Sequence, residues 1–243
     1  MKQDSDLYFI RVFPYALSGT LIVIPLLAIL AVIWTGISAG KGGWISGEVI
    51  SFAGIFIYIF QVAVLACLYR MRWETEDFRR AQTVFVAWFL LNLLSQLVLW
   101  FRGSAGGYGP GRYISITLFL LKDIVLMAGI LFVLFGMEKL CREMAEEKEM
   151  EGIIRLRKKW IYIQSVRLSF LGICYFLIPA AGKAGAWKGK ADSAFFSVFP
   201  VVFIAGFLIL FVGYVFYGIR LFIKLLEICQ SYHRYVYNRS LGL

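Results

Sequence analysis

The chain has 243 residues, of which 60% are hydrophobic, 17% aromatic and only 16% charged, with mean hydropathy +0.77. Soluble domains are nearer half apolar and a quarter charged, so a water-soluble globule, a disordered tail and a fibrous repeat are excluded. The formal net charge of +10 raises the question of nucleic acid, but no aromatic–basic module accompanies it.

In chain order, Asp4 and Asp6 weaken any positive leader region. The first apolar run is also longer than a signal core, so it is expected to be retained. Six apolar runs are predicted to span a membrane as helices, at about 15–35, 49–69, 81–101, 114–137, 160–180 and 193–221. A helix needs about 20 apolar residues to cross about 30 Å of hydrocarbon. Without water to satisfy the backbone, helix is the expected form. Pro25 and Pro200 are expected as kinks within the first and last runs.

Orientation follows from the cations. Seventeen Lys and Arg fall at the two ends and in the second and fourth connections, six fall in the other connections, and Lys122 and Arg167 lie inside spans. This bias predicts both termini in the cytoplasm, in a bacterial-type inner (plasma) membrane. Tryptophan follows the same pattern, with Trp34, Trp44, Trp100 and Trp187 at expected outer edges and Trp73 and Trp160 at inner ones. The expected fold class is therefore all-α: a polytopic six-transmembrane-helix bundle forming a single integral domain over 1–243.

The three outward connections are short and Gly-rich (GISAGKGGWISG, RGSAGGYGPGR, AAGKAGAWKGKAD), and such turns build no ectodomain. None holds one of the four cysteines, so no disulfide is expected. The inward segment 138–159 is predicted to be a helical loop that continues the fourth span, with Gly152 as its break. Its stripe of Met137, Leu140, Cys141 and Met144, with the basic Arg155 and Arg157 beyond, is a candidate docking platform for a cytoplasmic partner. The plainer reading is a solvated helix with internal ion pairs and a lipid-facing basic cluster. The tail 222–243 is amphipathic and aromatic, and is expected to lie along the membrane surface.

Charges at bilayer depth mark candidate sites, because each costs about 2.5–3.5 kcal/mol to insert. Lys122 and Asp123 lie in the fourth span and Arg167 in the fifth. Asp123 is about 14 Å from the outer edge and Arg167 about 10 Å from the inner one, which leaves an axial gap of about 6 Å for an arginine to bridge. Gln61, Asn92, Gln96 and Gln164 lie at comparable depth. The expected site is thus a polar midplane cluster of Gln61, Asn92, Gln96, Lys122, Asp123, Gln164 and Arg167. Glycines seven apart, Gly129 with Gly136 and Gly206 with Gly213, predict close helix contacts around it.

Chemistry is constrained by absence. The single histidine, His233, lies in the tail, so His-based metal, haem and triad chemistry within the spans is excluded. No phosphate-binding or metalloprotease motif occurs in the sequence. A Ser–Lys dyad of Lys122 with Ser95 or Ser115 is formally possible, but nothing in the sequence positions either serine. The expectation is a non-enzymatic transport component, a permease or transporter subunit, with no cofactor or metal. Its partners would be the bilayer, an unidentified solute, ion or lipid, and a cytoplasmic protein or another membrane subunit. The alternative is a membrane sensor or scaffold that recruits a cytoplasmic partner, with an intramembrane enzyme as the remote third reading.

Overall fold

Two short connections show how the sequence makes one helix end and the next begin. At the first, Thr75 caps a helix by accepting the Phe78 N–H on Oγ1 at 3.3 Å. Glu76 and Asp77 then occupy the first turn, where the helix dipole favours acids. At the second, the Glu146 N–H reaches the Cys141 carbonyl at 3.0 Å and the Ala145 N–H reaches Arg142 at 3.2 Å. With Ala145 at φ 57°, this pairing is a Schellman stop.

The computed structural model describes residues 2–23, 25–26, 46–103, 111–183 and 193–240. Among these residues the structure is all helical. The helices are α1 Lys2–Ser18, α2 Ser46–Met71, α3 Glu76–Gly103, α4 Gly111–Glu143, α5 Glu147–Lys183 and α6 Ser193–Ser240, with a π-helical turn Gly19–Val23 after α1. Most of the three Gly-rich outward connections, Trp34, Trp44 and Trp187, and the first expected span from residue 27 onward lie outside the described residues.

Neighbours in sequence are neighbours in space, and α1 closes the ring against α6 while α4 also touches α6. Successive helices run antiparallel, as do α1 and α6, so α4 and α6 run parallel to each other. Between α3 and α4, Phe78 lies against Gly136 and Phe85 against Gly129, while Ser95 meets Lys122. Between α1 and α6, Tyr15 meets Phe222 and Ile22 meets Gly218. The N-terminal end of α1 and the C-terminal end of α6 therefore share one end of the bundle.

Among the described residues, three stretches are long and apolar enough to cross a membrane: Glu76–Val98, Leu120–Glu143 and Ala205–Arg239. Many of their apolar side chains face outward, including Leu90, Leu94 and Leu97 on α3 and Ile209, Val212 and Phe216 on α6. A protein dissolved in water rarely exposes such continuous apolar surface, whereas hydrocarbon accepts it. Much of the core among the described residues lies toward the end that holds the start of α1 and the end of α6. There Phe13, Met71, Phe78, Met137, Cys141, Ile153, Ile228 and Cys229 are buried together.

Several sequence expectations change here. The segment after the fourth span does not break at Gly152. The chain turns at Met144–Glu146, and Gly152 lies inside α5, where an added Cβ would come 2.6 Å from Lys224 Cε. The tail does not lie apart on a surface. It continues α6 without interruption as far as Ser240, with Leu225, Ile228, Cys229 and Tyr232 buried. Forty-eight residues make a helix about 72 Å long, well over twice the hydrocarbon thickness. Nor is Trp160 an interfacial anchor. It is fully buried, stacks on Tyr217 at 5.0 Å and donates its indole N–H to the Met127 carbonyl at 3.3 Å. Trp73 is exposed, 4.6 Å from the Arg72 guanidinium.

Candidate functional site

The site grows from two adjacent residues that diverge. Successive helical residues are about 100° apart around the axis, so Lys122 and Asp123 address different neighbours. Lys122 turns to α3 and donates to Ser95 Oγ at 3.1 Å. Gly129 and Gly136 share its stripe and receive the rings of Phe85 and Phe78. Asp123 turns to α5 and accepts Arg167 Nη2 at 2.9 Å. Lower on that side, Met127 meets Trp160, and Phe135 and Glu138 meet Arg157.

Arg167 is the hub. Besides Asp123, it donates from Nη1 to Gln164 Oε1 at 3.3 Å, and its guanidinium lies 4.9 Å from the centre of the Tyr214 ring on α6. Asp123 and Gln164 are buried and Arg167 is half-buried. A buried ion pair is tolerated only when its remaining polar atoms are also engaged, and Gln164 and Tyr214 do this for the guanidinium. The set joins α4, α5 and α6 at one level.

The expected seven-residue cluster is therefore not one network. Asp123, Arg167 and Gln164 form one group, and Lys122 with Ser95 forms a second. Asn92 donates to the Trp88 carbonyl of its own helix at 3.1 Å. Gln96 is exposed. Gln61 is buried on α2, and among the described residues its Oε1 accepts no hydrogen bond. Tyr214 was missed by sequence reasoning. Its only signal was a phenol at depth in an otherwise apolar run, and spacing along one helix says nothing about a ring on another. The Lys122–Ser95 contact has the first geometric feature of a Ser–Lys dyad, but among the described residues no other side chain is hydrogen-bonded to Ser95, and the Ser115 side chain lies outside them.

The candidate docking stripe is also rearranged. Met137 and Leu140 are fully buried and Met144 is half-buried, so most of the apolar stripe packs inside this chain. Arg157 is bound to Glu138, which also accepts Arg142 Nη2 at 2.8 Å. Arg155 is exposed and pairs with Glu151 at 3.2 Å. At the same end Lys224 bridges Glu149 and Glu227, Lys139 pairs with Asp77, and Tyr232 donates to Glu74 at 2.6 Å. Cys67, Cys141 and Cys229 are free, buried thiols. Among the described residues no cluster of His, Cys, Asp and Glu is arranged to hold a metal.

Compared with protein-family models, curated proteins and solved structures, the chain finds no match in any of the three.

Proposed function

We propose that this protein is a six-span component of a membrane transport system, with both termini in the cytoplasm of a bacterial-type cell. In this reading the Asp123–Arg167 pair is the charge that answers a moving ion or solute. The observation that carries it is the pair itself. Two opposite charges, buried at 2.9 Å on neighbouring helices, are costly in hydrocarbon and mark ion paths, relays or gates when they occur there. A charged solute entering beside them competes for one partner, and release of the pair loosens α4 from α5. The cation bias and the exposed Trp73 at the termini end support the orientation.

Asp123→Cys in sealed vesicles tests the reading with a small, membrane-impermeant cationic thiol reagent and peptide mass spectrometry. Modification of the introduced thiol from the aqueous phase is expected. Complete protection, in folded protein, would overturn a transport path and favour a dry scaffold.

One observation favours the scaffold alternative. Beyond the expected spans, α5 and α6 continue at the termini end with exposed Glu151, Arg155, Lys158, Lys159 and Arg234. If a soluble partner docks, this charged rim would receive it, and the buried Met137 and Leu140 would not.

A further inference from the structure

At the termini end, α1 and α6 part slightly and leave an open groove of about 280 Å³, lined by Tyr8, Arg11, Val12, Tyr15, Leu226, Cys229 and Gln230. We infer that this groove binds the headgroup and first acyl carbons of an anionic phospholipid, with its phosphate on Arg11. The inference rests on the membrane-spanning reading above and adds a ligand that the reading does not require.

Charge is the first argument. Arg11 is exposed, and no acidic residue lines the groove among the described residues. The neighbouring acid on α6, Glu227, is already held by Lys224 at 3.1 Å. A guanidinium presents a donor fork that matches phosphate oxygens two at a time. Tyr8, Tyr15 and Gln230 add neutral donors around it.

Depth is the second argument. Tyr15 begins the first expected span, and Leu226 lies five residues, about 7.5 Å, beyond the end of the sixth. The polar headgroup layer occupies about 5–8 Å on each side of the hydrocarbon, so the groove begins at headgroup level.

An apolar stripe on α6 leads into the groove. Ile219, Phe222, Leu226 and Gln230 follow one another at intervals of three and four along α6, on one stripe. That stripe runs from the exposed Ile219, past the Tyr15–Phe222 ring pair at 5.4 Å, to the groove. An acyl chain descending it stays against carbon while its phosphate meets Arg11. A soluble anion uses none of that surface.

The test is native mass spectrometry of the full-length protein released from nanodiscs holding equal phosphatidylglycerol and phosphatidylcholine. Wild-type protein should retain phosphatidylglycerol at one site about fivefold over phosphatidylcholine, the value of one interfacial cation. Arg11→Gln should abolish the preference, Arg220→Gln (a cation outside the groove) should keep it, and Leu226→Trp should block retention with Arg11 intact. Equal retention by Arg11→Gln and wild type overturns the inference, as does displacement of the lipid by inorganic phosphate. Alkaline carbonate extraction separates the two levels. Release of the protein from membranes sinks the spanning reading, whereas an integral protein indifferent to Arg11→Gln sinks only the lipid site.

Discussion

Neutralising one member of the Asp123–Arg167 pair should cost more than neutralising both. The two side chains are 11% and 22% exposed, so each charge relies mainly on the other for compensation. Removing one partner of a buried pair typically costs about 3–5 kcal/mol, because the survivor is left uncompensated. Asp123→Asn leaves Arg167 with Gln164 at 3.3 Å and the Tyr214 ring at 4.9 Å, which places its cost near about 2–3 kcal/mol. Arg167→Gln leaves the Asp123 carboxylate with only the charge of the adjacent Lys122, whose ammonium is hydrogen-bonded to Ser95 on α3, so its cost falls at about 3 kcal/mol. The double variant holds two neutral amides able to hydrogen-bond, and should lose only about 1–2 kcal/mol. Unfolding in mixed micelles, titrated with SDS and followed by circular dichroism, measures all four proteins. The reasoning fails if the single costs add to that of the double within about 0.5 kcal/mol, since independent sites do that.

Other outcomes follow from the packing. Ala145→Gly should raise stability by up to about 1 kcal/mol in the same titration, because Ala145 sits at φ 57° where glycine is unstrained. Gly136→Ala should lose about 1–3 kcal/mol, because its Cβ would come 2.6 Å from the buried Phe78 ring. Gly213→Ala, with nothing within 4 Å of the added carbon, should be neutral or gain up to about 1 kcal/mol. Glu138→Gln should destabilise by about 2–3 kcal/mol, since the buried Glu138 carboxylate holds two arginines. Breaking the exposed pair by Arg155→Ala should shift the midpoint by less than about 0.5 kcal/mol.

Legibility differed by residue for physical reasons. Gly129 and Gly136 predicted a close contact because a seven-residue interval keeps them on one stripe, and Phe85 and Phe78 fill it. Gly206 and Gly213 have the same interval, yet only Gly206 meets a ring, that of Phe170. An interval fixes a face, whereas the partner's position decides whether anything packs there. The helix stop failed for a related reason. Glycine is the usual residue past a helix end, so Gly152 drew the expectation, but Ala145 accepts the left-handed conformation and Gly152 makes room for Lys224. The strain at Ala145 is about 1 kcal/mol, small enough for packing of α4 on α5 to impose.

The sequence by itself determined the class of solvent and the identity of the buried charges. Apolar excess in long runs leaves helix as the form that satisfies its own backbone, and opposite charges within otherwise apolar helices are expected to meet, as Asp123 and Arg167 do. Only the tertiary structure decided that Lys122 and Asp123 part toward α3 and α5, that Tyr214 completes the arginine's surroundings, and that Met137, Leu140 and Trp160 are core. Those outcomes depend on which helix occupies each side of α4 and α5, and no periodicity within a single helix carries that information.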